Sequence, residues 1–436
     1  MKYSGVEWIG EIPDNWNVKA IRECLFERNE KNNQLQETTI LSLSAKDGVT
    51  LYDGENHSGN KPREDLSGYK IVKENDIVAN SMNILSGSVG LSKYNGVVSP
   101  VYYIYHIRNS KDNIRYFSYI FQCNEFQKNL RRLGKGILIR ESEDGKLNTI
   151  RTKVPPYQLS IERIPYPDEY LQKCIVKLLD KKTKEIDSLI EIENQQIEKL
   201  KEYVESSIYE YLKKELGVSI NDMSFESRTS MKKIGALSNL VTKQTGFDYS
   251  NTIKPTMLDS PNEDSLPYLQ TRNFKNNYFN LNTEFYVPKS TWEQFPKLIL
   301  DDETLLFSIV GASIGNVAIF PKSEKAFLGG AICRVNLVDK EYALFIKEIM
   351  LSKFGQEQIN RKINSNAQGT ITVQNVRDFL IPMPSKKDAV RIGLKCESKR
   401  KEVDDLIAIK EKKIDELTEY KKSLIYEYVT GKKEVC

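Results

Sequence analysis

The sequence predicts an α+β protein in which two mixed β-rich globular domains are separated by two long helices that pair as an antiparallel coiled coil. Three observations predict this fold. The chain has 436 residues, which is too many for one compact core. A helical segment recurs once, at a constant offset of 217 residues. The segments between the helices are rich in Val, Ile, Tyr and Thr with Gly and Asn turns, a composition typical of strands.

The helical repeat is the strongest signal in the chain. Residues 185–211 and 402–428 share 14 identities over 27 positions, which chance does not give. Each copy has one narrow apolar stripe at nearly heptad spacing, so it needs a partner, and the other copy can supply it. Antiparallel pairing would relate the copies by a pseudo-twofold axis, with the polar residues Glu193 and Lys410 at the same seam position. The predicted coiled-coil residues are Ile186, Ile190, Ile197, Leu200, Val403, Ile407, Ile414 and Leu417.

The globular segments resemble each other more weakly. Tyr69–Val78 is similar to Lys297–Leu306, and each is followed by a Gly- and Ser-containing turn. A Pro-x-Pro motif precedes both helical segments at the 217-residue offset, and proline there is a helix-start signal. Residues 117–130 and 342–359 have helical composition. The predicted divisions are a globular domain at 1–167, a helical spacer at 168–216, a linker at 217–230, a globular domain at 231–384 and a spacer at 385–436.

Composition and motifs argue against several classes of protein. Hydrophobic residues make up 39% of the chain, enough for globular cores, yet we find neither a membrane-length apolar run nor a signal-peptide pattern, so we expect a cytoplasmic protein. Six scattered cysteines and two histidines predict free thiols and no metal site. Phosphate-binding and amino-methyltransferase motifs are absent, and the acidic residues near Lys181 lie on a charged helix rather than in a nuclease cleft.

Several short motifs carry a resemblance to a known family. The opening segment Tyr3–Trp16 and the closing segment 420–432 resemble the ends of the DNA-specificity subunits of type I restriction–modification systems. The Pro-x-Pro helix starts and the Ile-Asp-x-Leu-Ile core at Ile186–Ile190 look like that family too. The resemblance covers the whole chain. It departs at the head of each helix, where members usually carry Glu-Gln and this chain has Leu171-Gln172 and Asp388-Ala389.

The resemblance implies a protein without catalytic residues and without a cofactor of its own. Each globular domain would be a target-recognition domain that reads one half of a split double-stranded DNA sequence. The helices would set the gap between the halves and dock two modification subunits, which bind S-adenosylmethionine and methylate adenine. A restriction subunit that uses ATP and Mg could join. Two readers on a rigid spacer impose a fixed gap, and a methylated base must be flipped while a reader holds the duplex.

Candidate DNA contacts follow from residue chemistry, since phosphates need basic or small polar donors and base edges need side chains that reach a groove. A net charge of +4 allows such contacts if the basic residues cluster. A solvated surface role or a turn role is the alternative for each residue. The candidates in the first domain are Lys46, Ser81, Asn83, Ser88, Arg131, Arg132, Lys135, Gly136 and Arg140. Those in the second are Thr271, Arg272, Asn273, Ser308, Ser313, Asn364, Gln368, Gly369 and Thr370.

Two other functions compete with this hypothesis. The chain could be the specificity partner of a single-chain restriction–methylation enzyme or of an orphan methyltransferase, which its genomic neighbours would reveal. It could instead be a coiled-coil scaffold that binds only proteins. A scaffold would explain the helices but not two related β-rich domains with basic, Gly-containing loops. A DNA reader should lose affinity steeply with salt, whereas a scaffold should not.

Overall fold

The computed structural model describes residues 1–33, 35–54, 61–134, 140–141, 147–148, 153–217, 230–275, 278–363 and 369–435, with the backbone alone at 140–141, 147–148, 274–275 and 278. These residues form two compact units. The first unit combines Met1–Ile192 with Lys412–Cys436, and the second is Glu193–Glu411. Each unit therefore contains one globular part and a part of both long helices.

Short strands dominate the first globular part. They are β1 (Lys2–Tyr3), β2 (Glu11–Ile12), β3 (Asn17–Ala20), β4 (Leu25–Glu27), β5 (Leu41–Ser44), β6 (Gly48–Leu51), β7 (Lys70–Val72), β8 (Ile77–Asn80), β9 (Val89–Leu91), β10 (Gly96–Val98), β11 (Tyr102–Ile107), β12 (Arg140–Glu141), β13 (Leu147–Asn148) and β14 (Arg163–Tyr166). The helices are α1 (Ile21–Cys24), α2 (Ile114–Gln122), α3 (Asn124–Leu130), α4 (Pro156–Ser160) and the long α5 (Glu169–Leu216).

The second globular part repeats this composition. Its strands are β15 (Ser230–Lys233), β16 (Ser238–Lys243), β17 (Leu266–Leu269), β18 (Phe274–Lys275), β19 (Tyr278–Phe279), β20 (Tyr286–Val287), β21 (Ile299–Leu300), β22 (Thr304–Ser308), β23 (Val317–Phe320), β24 (Ala326–Leu328), β25 (Ile332–Leu337) and β26 (Leu380–Met383). The helices are α6 (Ile234–Leu237), α7 (Gly246–Asp248), α8 (Lys289–Trp292), α9 (Ala343–Leu351), α10 (Lys353–Asn360), α11 (Val373–Asp378) and the long α12 (Lys386–Val429).

Both units are built on the same four-stranded antiparallel sheet. Its strand order is β4-β11-β8-β9 in the first unit and β16-β25-β22-β23 in the second. A two-stranded ribbon accompanies each sheet, β3 with β14 and β15 with β26, and the last strand of each ribbon leads into a long helix. The predicted α+β fold class, with two related β-rich parts and two long helices, is thus confirmed in sheet order as well as in composition.

Apolar side chains fill separate cores inside the two units. In the first unit, Phe117, Phe121 and Phe126 of α2 and α3 are fully buried against the sheet, and Leu179 of α5 joins the same core. In the second unit, Phe320 and Phe327 are fully buried in a core shared by the four-stranded sheet and the mixed sheet β20-β17-β24-β21. Burial of apolar area is the main driving force for this packing.

The long helices begin at the predicted places because a polar side chain caps each one. The Asp168 carboxylate accepts a hydrogen bond from the Leu171 backbone N–H at 2.9 Å. Ser385 Oγ accepts one from the Asp388 backbone N–H at 3.2 Å. Such caps satisfy N–H groups that lack a partner in the first helical turn. The departure from the family's Glu-Gln pair therefore leaves both helix starts intact.

The seam between the helices follows the predicted heptad. Ile186 in the first unit and Ile197, Val403 and Ile407 in the second are buried, each less than a tenth exposed. The other four predicted seam residues are half-buried, namely Ile190, Leu200, Ile414 and Leu417.

Ion pairs in the second unit give the direction of the helices. Glu193 contacts Lys410 at 3.0 Å, and Glu215 contacts Arg391 at 2.7 Å, so positions rise on α5 as they fall on α12. The helices are therefore antiparallel. Among the described residues, no helix has the length and apolar character needed to cross a membrane.

Candidate nucleic-acid interface

Two loops of the first unit that contain predicted DNA contacts come together at one edge of the sheet. Lys46 lies exposed in the turn between β5 and β6, and Asn83 lies exposed in the loop between β8 and β9. Gly87 in the second loop has a φ of 83°, and a Cβ placed there would lie 4.0 Å from the Ala45 Cβ of the first turn. The fold therefore brings together two segments that are about 40 residues apart in the sequence.

Two serines of the same loop have to be removed from the candidate contacts. Ser81 is fully buried, and its backbone carbonyl accepts a hydrogen bond from the Val154 backbone N–H at 3.2 Å. Ser88 is 7% exposed, and its carbonyl accepts from the Asn80 N–H. Their surroundings are protein, so these residues shape the loop rather than present a hydroxyl to DNA. The sequence could not distinguish a buried turn serine from an exposed one.

One of the two arginines that follow α3 already contacts other residues of the protein. Arg131 and Arg132 form a helical turn, and both are exposed. Arg132 pairs with Glu162 at 2.6 Å and also donates to Asn129. Arg131 therefore remains the freer candidate for a phosphate contact. For Arg140 the structure gives only the backbone of β12, and Lys135, Gly136, Asn364 and Gln368 lie outside the described residues.

In the second unit, the fold also brings together two segments that contain predicted DNA contacts. The loop after β22 contains Ser308 and Ser313, whose hydroxyls are 2.6 Å apart. Val310 forms an isolated antiparallel bridge with Thr370, and the Gly311 N–H donates to the Gly369 carbonyl at 3.1 Å. Ser308 itself is 1% exposed and has to be withdrawn as a DNA contact. Ser313, Gly369 and Thr370 are partly exposed and remain candidates.

The Thr271–Asn273 turn contains one buried and two accessible residues. Asn273 is 1% exposed, and its side-chain amide donates to the carbonyls of Asn280 and Asn282. Asn273 therefore holds the turn together, and its prediction as a DNA contact is wrong for the side chain. The neighbouring Arg272 is exposed and pairs with Glu284 at 3.1 Å.

A cavity of about 570 Å³ opens beside that turn, and it was not predicted from the sequence. Twelve of the described residues line it, and neither aspartate nor glutamate is among those twelve. Lys243 and Arg272 supply positive charge, while Tyr249 and Tyr268 supply aromatic rings 6.2 Å apart. The polar run Lys243-Gln244-Thr245-Gly246 directly after a strand was the signal that could have revealed it.

Gln244 is the most unusual residue of the cavity, because it is 2% exposed and polar. Its Oε1 accepts a hydrogen bond from the Tyr268 hydroxyl at 2.9 Å. Burial raises the pKa of Tyr268 to about 12, so the phenol is protonated and donates at neutral pH. Among the described residues, Gln244 Nε2 has no hydrogen-bond partner.

The long helices expose large apolar side chains at repeat-equivalent positions. Leu189 and Leu406 are 44% and 45% exposed, and Ile192 and Ile409 are 47% and 65% exposed. Each pair is separated by the 217-residue offset, as are the exposed Tyr203 and Tyr420. Within each helix, the exposed Leu and Ile are three positions apart and so lie on the same side of the helix.

The titratable groups of the described residues were compared with the requirements of a metal site and of a reactive thiol. No group of three or more His, Cys, Asp or Glu side chains able to hold a metal ion occurs among them. Burial raises the pKa of four cysteine thiols to about 12, which suppresses the reactive thiolate form. These are Cys24, Cys123, Cys333 and Cys396. The cysteines that the structure describes are free, as predicted.

A comparison with curated proteins gives one whole-length relative. No protein-family model matches the chain. The protein of Methanocaldococcus jannaschii named "Putative type I restriction enzyme MjaX specificity subunit" is 24% identical over 453 aligned positions, which cover 98% of this chain and 96% of that protein. The similarity therefore includes both globular parts and both long helices.

A solved structure agrees with this chain in fold. A chain from work on the complex assembly and conformational transition of the type I R-M system matches with a TM-score of 0.65 and 11% identity, over 96% of this chain and 98% of that one. The HsdS subunit from Thermoanaerobacter tengcongensis matches with a TM-score of 0.44 and 12% identity, over 99% of this chain and all of that one. Along its whole length, this chain is therefore similar in sequence to a protein named as a type I restriction enzyme specificity subunit, and its fold is similar to that of a chain from a type I R-M system.

Proposed function

We propose that this chain is the DNA sequence-recognition subunit of a type I restriction–modification complex in the cytoplasm, and that it reads a split target. The observation that carries the proposal is the duplication of one sheet-and-helix unit, with the same strand order in both copies, in a homologue of specificity subunits. Each unit would read one half of the target. The loops and turns differ in sequence between the units, so the two halves of the target would differ as well.

Accessible polar loops in each unit support DNA contact. In the first unit, the Lys46 turn and the Asn83 loop meet at one sheet edge, and Arg131 follows α3, which contacts the same loop. In the second unit, the turn that contains Arg272 and the loop that contains Ser313 offer donors to phosphates or base edges. In this proposal, the chain recognises the DNA sequence, and its partner subunits methylate adenine.

The repeated apolar positions support docking of two copies of one partner. Leu189 and Ile192 on α5 recur as Leu406 and Ile409 on α12, at the same positions relative to the seam. Two equivalent surfaces on one chain bind two copies of the same protein, and the proposed occupants are two modification subunits. Those partners would bring S-adenosylmethionine, and a restriction subunit would bring ATP and Mg. No cofactor is assigned to this chain.

Single-molecule methylome sequencing of a host that expresses the chain with the methyltransferase encoded beside its gene tests the proposal. The expected result is new adenine methylation in a motif of two defined segments separated by a gap of constant length. A methyltransferase expressed without the chain is the control and should give no such motif. Methylation of one continuous motif, or none that depends on the chain, would refute the proposal.

DNA binding by the full chain separates a reader from a protein-binding scaffold. A reader that contacts six to ten phosphates loses roughly three to five orders of magnitude in affinity between 50 and 200 mM salt. A scaffold would bind DNA weakly at every salt concentration. Binding measured by fluorescence anisotropy over this range therefore decides between the two classes.

A further inference from the structure

The cavity beside Lys243 is lined by Gln244, and a hydrogen bond from Tyr268 orients the side-chain amide of Gln244. The Tyr268 phenol donates a hydrogen bond to Gln244 Oε1 at 2.9 Å. Residue 330 lies very close, since a Cβ there would be 3.0 Å from Gln244 Oε1. Since this contact places the oxygen of the amide toward Tyr268, Gln244 has its Nε2 donor left to offer a new partner.

This donor is incompletely satisfied in the described structure. Gln244 is 2% exposed, and its Nε2 has no partner among the described residues. A buried donor without a partner is costly, so such groups are rare in proteins and call for an acceptor at the site. The acceptor has to come through the cavity that Gln244 lines.

The charges around the cavity indicate that the acceptor is an anion. Lys243 is exposed at the end of β16, and Arg272 is exposed in the turn after β17. No carboxylate is among the described residues that line the cavity, although Glu284 pairs with Arg272 from outside that set. Two cations and an amide donor match the donor chemistry that binds phosphate oxygens.

The shape of the site distinguishes a phosphate from a base. Base edges lie at the floor of a major groove about 8.5 Å deep, so a protein reads them with parts that protrude. Phosphates lie on the outside of the duplex and can enter a concave site. The cavity lies beside the ends of β16 and β17, which belong to two different sheets. Because it is concave, it suits a phosphate better than a base edge.

We propose that this cavity binds a backbone phosphate of the DNA, with Gln244 Nε2, Lys243 and Arg272 as donors. The inference rests on the proposed function and makes it more specific. Arg272 then positions the duplex and carries no sequence information, in contrast to a base-reading role. The first unit has a different arrangement after its equivalent strand, where Arg28 is bound by the buried Asp76 at 2.9 Å. The phosphate cavity therefore belongs to the second unit.

The test measures binding of the full chain to two duplexes, one with the target motif and one with the same bases scrambled. Lys243→Ala and Arg272→Ala should each lower the affinity for both duplexes by the same factor, about tenfold or more at low salt. The plot of log affinity against log salt should become less steep by about 0.9. Gln244→Glu keeps an oxygen for Tyr268 but replaces the free donor with an acceptor, so it should also weaken both duplexes equally.

Two further variants serve as controls. Lys353→Ala removes an exposed positive charge of the same unit outside the cavity and should have a smaller effect than Lys243→Ala. Glu284→Gln removes the carboxylate that competes for Arg272 and should leave the affinity equal or higher. Lys243 is exposed, so its variant keeps the fold even if a carboxylate at the buried position 244 is not tolerated.

The possible outcomes separate this inference from the proposed function. A loss confined to the target duplex would mean base reading and would overturn the inference, as would unchanged affinity in both Lys243→Ala and Gln244→Glu. The proposed function fails if the wild-type chain binds neither duplex. In that case, thermal stabilisation by inorganic phosphate that is lost in Lys243→Ala would identify a site for free phosphate, and no stabilisation would reject a phosphate site altogether.

Discussion

At the scale of single residues, equivalent helix positions hold the globular part of each unit through different partners. In the first unit, Asp180 of α5 accepts a hydrogen bond from the Tyr119 phenol at 2.7 Å and pairs with Arg115 at 2.7 Å. In the second unit, the equivalent Glu397 of α12 pairs with Lys347 at 3.3 Å. Sequence repeat analysis finds the helix positions but not their partners, because the partners lie on segments with little sequence similarity.

The buried ion pair between Arg400 and Glu348 gives the strongest residue-scale prediction. The two side chains are 3.0 Å apart, and they are 10% and 1% exposed. Arg400→Ala should lower the free energy of unfolding by about 3–5 kcal/mol, because it leaves the Glu348 carboxylate buried with less compensation. Urea denaturation measures this loss. The control Arg391→Ala removes an exposed ion pair on the same helix and should cost much less. Equal losses in the two variants would contradict the prediction.

Thiol reactivity provides a second prediction at this scale. Burial raises the pKa of Cys24, Cys123, Cys333 and Cys396 to about 12, so at pH 8 almost all of each thiol is protonated. Iodoacetamide should therefore label the partly exposed Cys174 in the native chain and leave these four unlabelled. Peptide mass spectrometry measures the labelling. The unfolded chain serves as the control, in which Cys174 and the four buried cysteines should all react. Labelling of the four at the rate of Cys174 would contradict the assigned burial.

At the scale of elements, one polar contact interrupts the apolar seam of the long helices. Glu193 and Lys410 occupy equivalent positions of the repeat and contact each other at 3.0 Å, with exposures of 7% and 24%. A polar pair at a seam position typically specifies register and partner at a cost in stability. Pairing of either helix with its own copy would place two like charges there. The opposite charges therefore favour pairing of α5 with α12.

Charge reversal tests this role of the seam pair. Lys410→Glu should destabilise the chain by about 3–5 kcal/mol, because it places two carboxylates at a largely buried position. Glu193→Lys should destabilise it as well, and the double exchange Glu193→Lys with Lys410→Glu should recover most of the loss. Thermal unfolding followed by circular dichroism measures all three variants. If the double exchange is no more stable than the single variants, the pair does not specify the seam.

At the scale of the whole molecule, the repeat predicts how many partner copies the chain carries. Each exposed Leu and Ile of the repeated surface contributes about 1.5–3 kcal/mol if a partner buries it fully. Replacing Leu406 and Ile409 with Glu should therefore weaken one partner site by a factor of a hundred or more. The equivalent exchange at Leu189 and Ile192 should weaken the other site.

Native mass spectrometry of the chain mixed with its methyltransferase measures the stoichiometry. We expect two partner copies on the wild type, one on each double variant and none on the fourfold variant. The control Glu205→Gln with Lys422→Gln changes two exposed polar residues at repeat-equivalent positions and should retain two copies. Loss of both copies in a single double variant would contradict two independent sites.

The sequence alone determined the two long helices and their apolar stripes. Heptad spacing and the constant 217-residue offset are local or periodic properties, and the predicted seam residues Ile186, Ile197, Val403 and Ile407 are buried. Residues 117–130 and 342–359 were helical as expected, but each segment is broken, at Cys123 and Ser352. Helix breaks of this kind depend on packing against the sheet, which composition does not encode.

Only the tertiary structure decided which polar residues face solvent. Ser81, Ser308 and Asn273 have the chemistry of DNA contacts but are buried, whereas Lys46, Asn83 and Arg272 are exposed. The cavity around Gln244 is likewise formed by segments about 90 residues apart, from residue 243 to residue 331. Periodicity determines which face of an element is apolar, but the burial of a loop residue depends on distant segments that pack over it.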